Sequence, residues 1–209
     1  MSVITISRLY GSGGSEVAAK VASMLGWSLL DNAVVDAVAA RLGMTPSEVA
    51  AREERVPSLV KRLVETMALG SHEWMSPLAS SKQEPTDEQL VDVTMHIVEE
   101  ALARGPAVVV GRGAQSMLVS RKDALHVFCY APRDALIARS MMRDGLTEEA
   151  AAKLVDDTNS GREQWVRKYF KRAWRDYSNY HIAVNTEWLG IDRAANLVVD
   201  TAKAVRISP

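Results

Sequence analysis

The sequence predicts an α/β fold, a five-stranded, mostly parallel sheet with helices on both faces. Three observations predict it. Short apolar runs begin near residues 3, 28, 107, 126 and 181. Stretches with a helical apolar period separate them. The runs Ala107-Val108-Val109-Val110 and Leu125-His126-Val127-Phe128-Cys129-Tyr130 are nearly continuous in apolar residues, as strands covered on both faces are. The 209 residues suffice for one substantial core, so residues 1–209 read as one domain.

The first strand, Val3 to Ser7, runs into Arg8-Leu9-Tyr10-Gly11-Ser12-Gly13-Gly14-Ser15, and Val17, Val21, Met24 and Leu25 then recur at helical spacing. Strand, glycine loop and helix is the order of a phosphate-binding loop. Glycines let the backbone bring several N–H groups to one anion at a helix N-terminus, where the macrodipole adds to them. The ligand implied is a nucleotide phosphate. The spacing approaches a Walker A motif, G-x-x-x-x-G-K-[ST], with Arg8 for the first glycine, Gly14 for the lysine and Ser15 keeping the hydroxyl. A loop without that lysine must recruit a cation from elsewhere. Arg8 is the first candidate and Lys20 a weaker one. On these residues alone, a strand-to-helix turn that binds nothing stays open.

Trp27 to Asp31 reads as a second strand ending in an acid. Asp31 either caps the helix that starts near Asn32 or lies beside the phosphate loop, orienting metal-bound water or an acceptor hydroxyl. Helices follow from Ala33 to Leu42, stopped by Gly43, and from a capping box at Thr45-Pro46-Ser47-Glu48. Glu53, Glu54 and Arg55 read as a solvated face. The irregular stretch Leu69 to Thr86, preceded by Met67 and containing His72, Trp74 and Met75, is either a cover over an acceptor site or a surface insertion. Thr86 opens another helix, on which His96 reads as a partly buried polar residue.

The strand at 107–110 ends in Gly111-Arg112-Gly113, at the C-terminal strand ends outside which ligands of open α/β sheets bind, so Arg112 is either placed to reach a phosphate or, less in keeping with that position, a surface arginine in a tight turn. After the strand at 125–130, helices run from about Pro132 and from Thr147. The second carries Arg162, Arg167, Lys168, Lys171, Arg172 and Arg175 among Trp165, Tyr169, Phe170 and Trp174. Such a run is either solvated or a lid that brings arginine to a phosphate. A strand from Tyr180 to Thr186 and a helix from Asp192 to Val205 complete the chain.

Composition bounds the partners. Lys and Arg number 25 against 26 Asp and Glu, with no basic run, which argues against a dedicated nucleic-acid binder. A single cysteine, Cys129, excludes an intramolecular disulfide and reads as buried and inert. No apolar stretch approaches the roughly 20 residues of a membrane span, and the chain opens on a strand instead of a signal peptide. A soluble cytoplasmic protein with no membrane partner is expected, with a homo-oligomer left open.

Ile4 to Arg8 with Gly11 to Gly14, Leu30-Asp31, Val110-Gly111-Arg112, Ala131-Pro132, and Asn179-Tyr180 to Asn185-Thr186 with Leu189-Gly190-Ile191 resemble the cytidylate kinase-like family over nearly the whole chain. The resemblance implies a P-loop NTPase-type three-layer sandwich with a helical lid at 144–178 and an acceptor-binding helical insertion at 33–105. It implies transfer of the γ-phosphoryl of ATP, with Mg²⁺, to a nucleoside monophosphate, CMP by default. Gly11, Ser12, Gly13, Gly14 and Ser15 would hold the donor phosphates, and Ser15 and Asp31 would support Mg²⁺. Asp31 and Arg112 would face the acceptor, while Arg8, Arg139 and Arg162 would serve the transferring group. Relatives often carry Arg where this chain has Ser15 and Asp where it has Asn159. A kinase for another small molecule and a nucleotide-binding module without catalysis are the alternatives.

Overall fold

The structure is a computed structural model that describes residues 3–54 and 85–205. Five strands, β1 (Val3–Arg8), β2 (Ser28–Leu30), β3 (Ala107–Val110), β4 (Ala124–Tyr130) and β5 (Ile182–Asn185), form one sheet in the order β2-β3-β1-β4-β5. Every pairing is parallel, with Ile6 opposite both Val110 and Val127. All five strands expected from sequence are present. The described helices are α1 (Gly14–Leu25), α2 (Asn32–Leu42), α3 (Pro46–Glu54), α4 (Asp87–Arg104), α5 (Ala114–Met117), α6 (Arg133–Asp144), α7 (Glu148–Phe170), α8 (Thr186–Leu189) and α9 (Ile191–Ala204).

The two-residue period of the strands divides the core into layers. Ile4, Ile6, Val108, Val110, Leu125, Val127 and Cys129 point to one face and pack on α1 and α9. Val3, Ala107, Val109, Ala124 and Phe128 point to the other, under α2, α4 and the second half of α7. Phe128 meets Trp174 edge-on at 5.5 Å and Tyr180 at 5.0 Å, which seals the sheet beyond the end of α7. Helix boundaries follow their caps. Thr45 and Glu48 exchange bonds at α3, Thr86 and Gln89 form a full capping box at α4, and Thr147 accepts from Ala150 N–H at α7. Short α5 and α8 are not among the elements that the sequence predicts.

One expectation changes. His96 is exposed, with Nδ1 2.8 Å from the Asp92 carbonyl one turn earlier, instead of partly buried. Cys129 is fully buried, and burial pushes its thiol up to about 12. Of the irregular stretch from Leu69, only Pro85 and Thr86 fall among the described residues. No helix among the described residues is long and apolar enough to cross a membrane.

His126 lies within β4, its Nδ1 2.7 Å from Thr5 Oγ1 and its ring stacked on His181 at 5.1 Å. Burial, then the neighbouring His181 and Arg172, push it down to about 4. The unfolded chain, with an ordinary histidine near 6.5, binds a proton in that window that the folded chain does not. Stability is therefore full above about pH 6.5 and falls as the pH drops towards 4. Urea midpoints at pH 7 and pH 5 should show this loss, and a His126→Asn variant should show much less of it.

Candidate functional site

β1 delivers the chain to the loop, and three close approaches require its glycines. Gly11 and Gly13 have φ of 78° and 73°, in the left-handed region. A Cβ on Gly11 would sit 2.5 Å from the Leu136 carbonyl, one on Gly13 would overlap Ile191 Cδ1, and one on Gly14 would overlap the stem of Arg8. α1 then starts with no side-chain cap bond at its N-terminus. Its first amides have no acceptor within the helix, and they carry the positive end of the helix dipole. The carbonyls around them are engaged. Leu9 O accepts from Ser12 N–H, Gly13 O from Val17 N–H, and Arg8 O from Arg162 Nη1 at 3.0 Å. Ser12 O accepts from Thr186 Oγ1 at 2.5 Å and Arg139 Nη1 at 3.2 Å. An anion at the loop thus meets N–H groups whose neighbouring acceptors are already held by protein.

On one side of the loop, at the C-terminal ends of β1 and β3, Ser7, Arg8, Arg112, Arg162, Trp165 and Trp174 enclose a cavity of about 50 Å³. Arg8 crosses from β1 towards β3, and a Cβ on Gly111 would overlap its Nη1. Its Nη2 lies 3.8 Å from Asp31 Oδ1. Asp31 occupies the N-cap position of α2 but makes no side-chain cap bond, and its carboxylate lies beside Arg8. Gly111, Arg112 and Gly113 all have positive φ, 70°, 57° and 71°. For arginine this conformation costs about 1–2 kcal/mol, and it turns Arg112 into the cavity wall instead of continuing β3. Burial, then the Arg8 charge, push Arg112 down to about 9, with Asp31 opposing and Arg162 adding to the effect. Three guanidiniums thus share one small enclosure.

On the other side, Gly11, Gly13, Glu16, Arg139, Met142, Arg143 and Ile191 line an open cleft of about 300 Å³. Arg139, expected beside Arg162, lies here. Its Nη1 donates to Ser12 O and Thr186 Oγ1, and its Nη2 to Thr186 O and, at 2.6 Å, to Glu187 Oε2. It braces the loop against the start of α8. Lys20, the weaker substitute for the missing lysine, pairs with Asp192 at 2.7 Å on the surface.

α7 joins the two sides. Its inner face, Ala151, Val155, Thr158, Asn159, Trp165 and Val166, is buried. From that face Asn159 Oδ1 accepts Tyr10 N–H at 2.8 Å, one turn before Arg162 reaches the Arg8 carbonyl. Of the other cations, Arg167 and Arg175 pair with Glu163, Lys168 with Asp87, and Arg172 bonds Asn179 Oδ1, so the expected cationic lid narrows to Arg162. Thr186, Asn159, Tyr10, Arg143 and Trp165 are absent from the sequence-derived set. Thr186 reaches Ser12 across 174 positions, Asn159 reaches Tyr10 across 149, and Arg143 meets the Tyr10 ring from α6.

Among the described residues no three His, Cys, Asp or Glu side chains cluster to form a metal site. A Mg²⁺ held mainly by nucleotide oxygens and water would need only a hydroxyl and a carboxylate from protein, the chemistries of Ser15, at the start of α1, and of Asp31.

The phosphate loop, the sheet order and the helices on both faces define a P-loop kinase fold. The chain belongs to the cytidylate kinase-like family, whose pattern matches residues 3–188. Similar solved structures include an uncharacterized protein from Eubacterium ventriosum, with TM-score 0.68 and 18% identity over 98% of this chain and 99% of that one. Shikimate kinase from Acinetobacter baumannii in complex with shikimate has TM-score 0.53 and 16% identity over 100% and 96% of the two chains. A gluconokinase from Sinorhizobium meliloti has TM-score 0.53 and 16% identity over 98% and 95%. These likenesses establish the fold. A curated relative, the uronate isomerase of Corynebacterium glutamicum, is 27% identical over 145 residues, 69% of this chain. The chain spans about a quarter, 27%, of the length of that protein.

Gly111 tests how far the arginine site depends on close packing. Gly26 also has positive φ but has nothing within 4 Å of its absent Cβ. Gly26→Ala should cost about 1 kcal/mol from backbone strain alone. Gly111→Ala, which must also displace Arg8, should lower the urea midpoint further.

Proposed function

We propose that the chain transfers the γ-phosphoryl group of MgATP to a small acceptor that carries a phosphate, with a nucleoside monophosphate, CMP first, as the acceptor to test. The observation that carries this reading is the convergence of Arg8, Arg112 and Arg162 on one cavity, beside an uncapped helix N-terminus. Guanidiniums grip phosphate through paired N–H donors. The loop amides from Gly11 to Ser15 hold the donor phosphates, and Arg112 holds the acceptor phosphate. Arg8 stands between the two, and Asp31 keeps it oriented. An acceptor phosphate oxygen attacks the γ-phosphorus as the bond from that phosphorus to the β–γ bridging oxygen breaks, and ADP leaves with the electron pair. The attacking oxygen is already deprotonated at neutral pH, so the step needs no general base. Ser15 and Asp31 would hold Mg²⁺, which would neutralise charge on the phosphates during transfer. Arg162 faces the equatorial oxygens as charge builds on them, while Arg139 keeps the Ser12 carbonyl turned away from the anion.

ADP release from MgATP against a panel of nucleoside monophosphates tests the reading. Arg162→Ala should lower kcat by about a thousandfold or more while changing the KM for ATP far less. Equal losses in both would remove Arg162 from the transition state. Arg112→Ala should raise the KM of the acceptor. Silence across the panel, with ATP binding intact by calorimetry, would favour a binding module or an acceptor without phosphate.

One observation favours a hydroxyl acceptor as a second reading. Asp31 makes no cap bond, and its carboxylate lies one guanidinium from the cavity, where it could take a hydroxyl proton. Asp31→Asn separates the two. With a phosphate acceptor kcat should fall by about tenfold or less, and with a hydroxyl acceptor by about 10² to 10⁴.

A further inference from the structure

The loop has no lysine, yet one of its residues contacts cations from both sides. Tyr10 stands between Arg8, which lines the arginine cavity, and Gly11, which lines the open cleft. Two guanidiniums lie over its ring. Arg143, from the end of α6, has Cζ 4.6 Å from the ring centroid, and Arg162, from α7, has Cζ at 5.8 Å. Both fall within the roughly 6 Å at which an aromatic ring attracts a cation. Arg143 lines the cleft and Arg162 the cavity, so a single ring serves a cation at each depression.

Tyr10 is itself held in place. Its backbone N–H donates to Asn159 Oδ1 at 2.8 Å, and its hydroxyl donates to Asp144 Oδ2 at 3.1 Å. Its ring packs beside Ala131, Leu136 and Val155. Asp144 also receives Arg143 through Nε at 2.8 Å and Nη2 at 2.9 Å, so ring and carboxylate fix that guanidinium together. The Arg162 guanidinium is fixed as well by the Arg8 carbonyl, to which its Nη1 donates at 3.0 Å. A leucine would satisfy the packing but would draw in neither cation.

We propose that Tyr10 is a positioning residue. Its ring sets Arg143 and Arg162 at the two sides of the loop, so that a pair of guanidiniums supplies the charge a loop lysine would bring to the transferring group. The kinetic part of the test rests on the proposed phosphoryl transfer. The binding part does not.

The test compares Tyr10→Phe, which keeps the ring and loses only the bond to Asp144, with Tyr10→Leu. Calorimetry measures the affinity for MgADP with and without aluminium fluoride, which imitates the phosphoryl group in flight. Steady-state assays then give kcat and KM for ATP. The wild-type chain should bind MgADP more tightly with fluoride. Tyr10→Phe should keep that gain to within about threefold, and Tyr10→Leu should lose about tenfold or more of it, a difference near 1.4 kcal/mol. MgADP alone should bind both variants about as well as wild type. In turnover, Tyr10→Leu should lose a similar factor in kcat with little change in KM for ATP. A purely structural role would instead weaken MgADP binding with and without fluoride alike. That pattern, a wild-type gain kept in Tyr10→Leu, or no wild-type gain at all would overturn the proposal. A gain that follows the ring in a chain that turns over no nucleoside monophosphate would leave Tyr10 in its role and remove the proposed acceptor. If Tyr10→Leu does not fold, Tyr10→Met gives the same comparison.

Discussion

Arg8 passes where two side chains would have been. Its stem fills the space of a Cβ on Gly14, and its guanidinium fills that of a Cβ on Gly111. That double approach joins the end of β1, the start of α1 and the end of β3, the three points from which both depressions are built. It also explains why an arginine can enter a phosphate loop at all. The guanidinium leaves the loop sideways, towards Asp31 and Arg112, and does not occupy the helix N-terminus where an anion would sit. A lysine in the usual position would need a side chain at Gly14, and the stem of Arg8 already takes that space.

Charge in the site is therefore brought in across the fold. Arg112 arrives from β3 through three consecutive left-handed residues, Arg162 from α7, and Arg139 and Arg143 from α6. Arg112 is pushed down to about 9, first by its burial and then by the charge of Arg8. Such an arrangement is kept in place only by strong packing, and α7 supplies it. Trp165 and Val166 anchor that helix in the core while Asn159 and Arg162 hold the loop backbone. The helix expected as a lid has its inner face in the core, so moving it would also uncover apolar surface.

The sheet was legible because each strand carries its own apolar run, and the ends of three of those runs placed Arg8, Asp31 and Arg112. Capping boxes at Thr45 and Thr86 were legible for a similar reason, since all their partners lie within three residues. The rest depends on contacts that the local pattern does not encode. Thr186 reaches Ser12 across 174 positions, and Asn159 reaches Tyr10 across 149. Arg139 and Arg162 look alike in sequence, two arginines on successive helices, yet they stand on different sides of the loop. His96 was misplaced because its spacing fits the inner stripe of α4 only loosely, and the helix turns it to solvent.

The two depressions also differ in kind. The cleft is open, edged by Met142 and Ile191, and it has room for a large group with an apolar face. The cavity, at about 50 Å³, has space for little more than a few waters or a small anion beside its three guanidiniums. A whole nucleotide could enter on that side only if part of the wall moved, and Ala50 on α3 belongs to that wall. α3 begins at its own capping box after Gly43, where φ is 64°, and a Cβ there would meet nothing within 4 Å. In the break between α2 and α3, Gly43 thus borders open space while Met44 beside it packs on the core. Any widening of the cavity would have to come from such a wall, because the arginines are held by close packing and by the loop backbone.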